Sequence, residues 1–239
     1  MQLVSIIVPA YNEEGRMEAF LEKLSMFYND NNKNQDFQYE IIVINDGSKD
    51  RTYDIAEEFS KKIKSLRVLN HSVNKGKGAA VQTGIMDAKG EFVIFIDSDG
   101  SIDPFQIPSM LKLLQKNSIV IGTRNHRDAE VERPLTRTIT TKVFNAYSNF
   151  LFRLGLSDLL CGFKGFNTKI AQDLFLGLIN TRWLFDVEIL YKAKKRGYKT
   201  IVLPIKWQHK EKGNLNPFTD SIKLIFSVLK LWFKIRHTK

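Results

Sequence analysis

"FVIFIDSDGSID", residues 92–103, is the stretch on which the reading of the chain turns. Five apolar residues run straight into Asp97, Ser98, Asp99 and Gly100, and a further acid follows at Asp103. A short apolar run of this kind reads as a buried strand. Successive strand residues point to opposite faces, so Asp97 and Asp99 share a side if the strand persists that far. Two like charges held together raise each other's proton affinity unless a cation lies between them. Either the pair is solvated in a loop, or something positive belongs there. A calcium loop of the EF-hand type does not fit, because its sixth and twelfth positions would be Ile102 and Pro108 instead of Gly and Glu.

Outward from this strand, strand and helix signals alternate. "VSIIVPAY" reads as a strand, "EEGRMEAFLEKLSMFYND" as an amphipathic helix and "YEIIVIND" as a second strand. "SKDRTYDIAEEFSKKI" reads as a helix that Ser48 or Asp50 can cap, "LRVLNH" as a strand and "KGAAVQTGIMDAKG" as a helix closed by Gly90. After the strand at residues 91–99 come the helix "PFQIPSMLKLLQKN" and the strand "SIVIGTRN". This alternation predicts right-handed crossovers, a mostly parallel sheet and helices on both faces. Ligands of such sheets sit at the carboxyl ends of the strands, which is where Tyr11–Glu13, Asp46 and Asp97–Asp99 fall. Further on, "HRDAEVERPLTR" reads as a charged, mobile loop. "TRTITTKVFNAYSNFLFRLG" and "RWLFDVEILYKAKKRG" read as helices, and "YKTIVLPIKW" as a strand before a polar loop.

The 239 residues suit one large domain or one domain with an appendage, and 43% hydrophobic content provides a full core. A net charge of +10 biases the surface toward polyanions: nucleic acid, anionic lipid or phosphorylated substrates. Nucleic acid ranks last, since no recognised module and no interleaved basic and aromatic surface is present. The single cysteine, Cys161, cannot form an internal disulfide, fits a reducing compartment, and reads as packing. The amino terminus does not read as a signal peptide, and no run reaches the roughly 18–20 apolar residues of a spanning helix. A soluble or peripheral protein is expected.

"NKGKGAA" matches neither the P-loop nor the dinucleotide fingerprint, yet its two lysines and a helix start can attract a diphosphate as readily as they can form a solvated turn. Taken in order, "IIVPAYNEEGR", "IIVINDGSKDRT", "NKGKGAAVQTGI" and "FIDSDGS" resemble glycosyltransferase family 2, with its GT-A fold, over residues 3–124. The resemblance assigns Pro9, Tyr11, Glu13 and Asp46 to the nucleotide, and Lys75 and Ser98 join them. It implies that Asp97 and Asp99 bind Mg²⁺ or Mn²⁺ bridging the diphosphate of a sugar nucleotide, the metal neutralising the departing group.

"GTRN", "RPLTRTITTKVFN", "DLLCGFKGF" and "RWLFDVEILYKAKKRGY" resemble the branch of that family that makes dolichyl- or polyprenyl-phosphate sugars, closest to its dolichyl-phosphate β-glucosyltransferases. Mannose synthases of the branch usually carry a Gln where this chain has Ser101, which favours the glucosyl side. The branch's eukaryotic glucosyl members also carry an N-terminal membrane helix, which this sequence does not show. A lipid phosphate is already anionic near pH 7 and needs cations more than a general base. The resemblance places Arg124, Arg133 and Arg137 near the acceptor phosphate and the donor diphosphate, with Asp99, Arg124 and Arg133 as the catalytic set. Lys142 reads as solvated surface. Trp183, Asp186 and Glu188 form a second tier: the acids orient sugar or acceptor or form a structural pair with Lys164 or an arginine, and the indole stacks on sugar or packs in the core. No histidine shows metal-ligand spacing.

From Ile222, Lys223, Ser227, Lys230 and Lys234 form a narrow stripe on an otherwise apolar helix. So wide an apolar arc fits a helix lying in a membrane interface, the alternative being docking on the domain or on a second copy. The expectation is a GT-A domain over residues 1–215, with an acceptor-side segment at about 124–160, and a basic amphipathic helix over 216–239. It would move glucose from UDP-glucose to a dolichyl or polyprenyl phosphate, with inversion, on the cytoplasmic membrane face, as a monomer or an oligomer. The rival expectations are GDP-mannose as donor, a glycan hydroxyl as acceptor, and a catalytically inactive nucleotide-sugar-binding adaptor.

Overall fold

The computed structural model describes residues 2–31, 36–132, 135–208 and 217–236, without the side chains of 132, 135–137, 139 and 217–225. Its centre is a sheet of seven strands: β1 (Gln2–Ala10), β2 (Phe37–Asn45), β3 (Leu66–Asn70), β4 (Phe92–Ile96), β5 (Ile119–Thr123), β7 (Phe163–Asn167) and β8 (Thr200–Pro204), in the order β3-β2-β1-β4-β7-β5-β8. All neighbours pair in parallel except where β7 runs antiparallel between β4 and β5. The expected parallel sheet with helices on both faces is therefore present, with one strand reversed.

Alternation along the strands explains the two cores. Val4, Ile6 and Val8 of β1 face one layer, with Phe20 and Leu24 of α1 (Glu14–Asn31), Phe59 of α2 (Thr52–Lys62) and Met110 of α4 (Ile107–Leu114). Ile7 faces the other, with Ile85 of α3 (Lys77–Asp87), Phe144 of α5 (Leu135–Phe152), Phe175 of α6 (Thr168–Phe175) and Phe185 of α7 (Phe185–Lys195). Burial on both faces explains why the strands read as unbroken apolar runs.

Several expectations need correction. The helix foreseen from Pro104 begins as a 3-10 turn, Pro104–Gln106, capped by the Asp103 side chain, before α4. The charged stretch expected to be a mobile loop contains β6 (Glu130–Glu132), which pairs in parallel with β9 (Lys206–Gln208). "YKTIVLPIKW" is two strands, because β8 ends at Pro204, whose ring removes a donor, and β9 leaves for this second small sheet. Neither β7 nor α6 was foreseen: the sequence of β7, "FKGFN", interrupts its apolar pattern with a lysine and a glycine.

α8 (Pro217–Arg236) packs on α5, burying Val228, Leu231 and Ile235, while the Trp232 indole N–H donates to the Leu151 carbonyl at 3.0 Å. Docking on the domain thus occupies one stripe of this helix. Among the described residues, no helix is long and apolar enough to cross a membrane.

Candidate active site

β4 ends at Ile96, and the two acids that follow it are carried by a turn, not by a continued strand. Asp97 donates its backbone N–H to the Gly162 carbonyl at 3.0 Å. The Ser98 hydroxyl, buried, donates to the Pro9 carbonyl at 3.0 Å and ties the turn to the end of β1. Asp99 accepts from the Ser101 amide at 2.9 Å, and Gly100 supplies the positive φ of 71° that closes the turn. Because β7 is antiparallel to β4, its first residues arrive at the carboxyl end of β4. Gly162 lies so close to Asp97 that an added Cβ would overlap the carboxylate.

The positive partner of Asp97 is Lys77, the first residue of α3, whose ammonium sits 2.6 Å from Asp97 Oδ1. Burial pulls its pKa down, but the charges of Asp97, Asp186 and Asp99 outweigh it and keep the ammonium protonated. Lys75, the lysine expected at the nucleotide, has an exposed side chain, and its backbone amide donates to Asp46 at 2.9 Å. Of the two lysines of "NKGKGAA", the inward one is Lys77 and not Lys75; two lysines of one turn look alike in sequence until the helix start fixes which faces inward.

Between the carboxyl ends of β1, β2 and β3 lies a cavity of about 400 Å³, lined by Tyr11, Asn45, Ser48, Tyr53, Asn70 and His71 among others. Tyr11 is exposed on its rim. Glu13 is paired with Arg16 at 2.6 Å; burial raises its pKa against that arginine, helped by the charges of Asp99 and Asp97. Asp46 is only 2% exposed. Its oxygens meet His71 Nδ1 at 2.7 Å and the amides of Lys75 and Gly76 at 2.9 and 2.8 Å, so its direct action is to tie β2 to the loop entering α3. The other ring nitrogen, Nε2, lies 3.0 Å from the Thr83 hydroxyl, so both ring nitrogens are engaged and the imidazole is fixed at the cavity wall. His71 carried no sequence signal beyond its place at the end of β3.

Arg124 follows β5. Its Nε and Nη2 each meet Asp158 at 2.8 Å, its backbone N–H meets the same carboxylate at 2.9 Å, and its guanidinium lies over the Trp207 ring at 5.6 Å. Burial opposes both charges, but the bidentate pair raises the Arg124 pKa and lowers that of Asp158. Arg133 and the side chain of Arg137 lie outside the described residues. Lys142 is exposed, as expected of solvated surface.

Of the second tier, Trp183 is exposed, with the Lys77 ammonium 5.9 Å from its ring centroid. Asp186 is buried against Lys164 at 2.5 Å, and Lys164 also donates to the Cys161 carbonyl at 2.6 Å. Burial raises the Asp186 pKa against the pull of Lys164 and Lys77. Glu188 is fully buried; it accepts from the Ile179 and Asn180 amides at 2.9 and 2.8 Å and from Lys192 at 2.8 Å, holding the loop that carries Trp183. Both acids are therefore internal pairs. The Cys161 thiol, pushed up to about 12 chiefly by burial, is packing.

Among the described residues, no group of three or more His, Cys, Asp or Glu side chains is arranged to enclose a metal. The two carboxylates of the turn fit a different kind of site. Mg²⁺-type ions take one or two carboxylates and complete their shell with water and substrate phosphates. Hard oxygen donors are present, and a cation, the Lys77 ammonium, already stands on Asp97.

Comparison with known proteins gives the family and the fold. The family model "Glycosyl transferase family 2" matches residues 5–175. The dolichyl-phosphate beta-glucosyltransferase of Dictyostelium discoideum is 34% identical over 242 residues, covering 97% of this chain and 74% of the relative. The human enzyme of the same name is 34% identical over 233 residues, covering 92% and 72%. Glucosyl-3-phosphoglycerate synthase from Mycobacterium tuberculosis, solved with Mn²⁺ and UDP-glucose, superposes with a TM-score of 0.69 at 18% identity, covering 98% of this chain and 79% of that one. That likeness shows the fold.

Proposed function

The chain belongs to glycosyl transferase family 2, and on that premise we propose that it transfers glucose from UDP-glucose to a dolichyl or polyprenyl phosphate, with inversion. The observation that carries this reading is the Asp97–Asp99 turn at the carboxyl end of β4, beside the cavity walled by Tyr11, Asn45 and His71. The cavity takes the nucleoside, with Tyr11 on the base. Asp46 and His71 hold its wall, and Ser98 fixes the turn against Pro9. Asp97 and Asp99 would hold a Mg²⁺ or Mn²⁺ ion, which supplies charge neutralisation for the departing diphosphate.

The carboxylates support this acceptor class. A sugar hydroxyl needs a base to take its proton, whereas a lipid phosphate attacks as an anion. Glu13, Asp186 and Glu188 are each paired with a cation, which favours the phosphate acceptor. Arg133 and Arg137 are assigned to that phosphate; Arg124, held by Asp158, positions the end of β5. The lipid implies a membrane surface, and α8 offers one: Phe226 and Phe233 are 68% and 55% exposed beside Lys230, Lys234 and Arg236. We assign the protein to the cytoplasmic membrane face on this basis.

The test is transfer of radiolabelled sugar from UDP-glucose, and in parallel from GDP-mannose, to a short polyprenyl phosphate in detergent. Transfer from UDP-glucose that needs a divalent cation and falls at least about 100-fold in Asp99→Ala supports the reading. Transfer from GDP-mannose alone overturns the sugar and keeps the mechanism. Labelling of neither lipid product overturns the acceptor.

A further inference from the structure

Lys77 and a divalent ion have claims on the same oxygen. The ammonium sits 2.6 Å from Asp97 Oδ1, one of the two carboxylates assigned to the metal. A dication and an ammonium that close to one oxygen repel strongly in a partly buried site. Lys77 cannot withdraw by moving its backbone. Gly76, at a φ of 100°, lies directly against the Thr181 carbonyl and Arg182; Gly78 lies against Phe185; and the Ala79 amide donates to the Thr181 carbonyl at 3.1 Å. The start of α3 is thus locked to the 181–185 segment, and only the side chain can swing. Its surroundings offer a second resting place, since the charge of Asp186 acts on Lys77 and the Trp183 ring lies 5.9 Å from its ammonium.

We propose that Lys77 is a tethered counter-ion that competes with the metal for Asp97, and that a divalent ion enters by displacing it toward Asp186 and Trp183. The inference rests on the metal-dependent reading above. Charge balance gives its consequence. Asp97, Asp99 and Asp186 against Lys77 and Lys164 leave one net negative charge, and Glu13 and Arg16 cancel. A divalent ion alone would make this group net positive, and the negative charge of a nucleoside diphosphate returns it to net negative. Metal and nucleotide therefore bind synergistically, and the metal alone binds weakly.

The test measures Mn²⁺ affinity of the full chain by electron paramagnetic resonance, with and without UDP, for wild type, Lys77→Met and Lys77→Arg. Lys77→Met is expected to bind Mn²⁺ at least ten-fold tighter than wild type without UDP, and to lose most of the enhancement that UDP gives. Lys77→Arg, which keeps the charge, is expected to stay near wild type. Equal or weaker nucleotide-free affinity in a folded Lys77→Met overturns the inference while leaving the metal-dependent reading intact. If Lys77→Met does not fold, Lys77→Gln is read by the same criterion. A wild type that binds no Mn²⁺ even with UDP overturns the metal-dependent reading, and this inference with it.

Discussion

Gly162 shows how tightly the acidic turn is enclosed. Its carbonyl accepts the Asp97 amide at 3.0 Å, and its missing side chain is the space in which the Asp97 carboxylate lies. In Gly162→Ala the new methyl forces that carboxylate out of place, because both the turn and the start of β7 are fixed by backbone hydrogen bonds. We expect Mn²⁺ binding and sugar transfer to fall at least about 100-fold, with a stability loss of about 1–3 kcal/mol. Mn²⁺ titration and urea unfolding separate the two effects; unchanged metal binding would mean that Asp97 does not need this place. In sequence, Gly162 is one of two glycines flanking "FK", and nothing local tells which one faces the acid.

At the scale of elements, the reversed strand β7 decides the site's floor. It brings Gly162 beside Asp97 and sets Lys164 below it, where the lysine pairs with Asp186 of α7. A lysine followed by a glycine breaks the apolar pattern of a buried strand, and only its distant partner makes burial tolerable. The α5–α8 contact is of the same kind. Leu231, 3% exposed, lies in the stripe of α8 that meets the domain, so Leu231→Ala is expected to cost about 2–4 kcal/mol. Hydrogen exchange across residues 226–236 should accelerate well beyond that of β1. Unchanged protection would show that Trp232 and its neighbours hold the helix without Leu231.

For the whole molecule, the buried carboxylates set the pH response. Glu40 and Asp158 hold their pKa below the ordinary range: burial opposes this, but Ser5, Arg67 and the Lys89 amide outweigh it for the first, and Arg124 for the second. Below about pH 4 the unfolded chain binds more protons at these groups than the fold does, so stability is lost as pH falls through their folded values. Glu13 and Asp186, raised chiefly by burial, act in the opposite sense and protonate first in the fold. Stability is therefore expected to rise as pH falls through the raised values of Glu13 and Asp186, and to fall below about pH 4. Urea midpoints across that range check this, and Glu40→Gln should flatten the acid limb. A steady fall from pH 7 downward would contradict it.

By itself the sequence determined the alternating core of the fold, because β1, β2 and β4 are buried on both faces and must read as apolar runs ending in polar residues. It also determined that Asp97 and Asp99 stand at such an end, and, through its motifs, the family. The tertiary structure alone decided which groups meet them. Lys77, His71, Asp158 and Gly162 act through partners 20, 25, 34 and 65 residues away. Their roles depend on burial and on direction, which the antiparallel β7 and the locked start of α3 impose. A residue's chemistry is local and legible, whereas its partner is fixed by packing and appears only once the chain is folded.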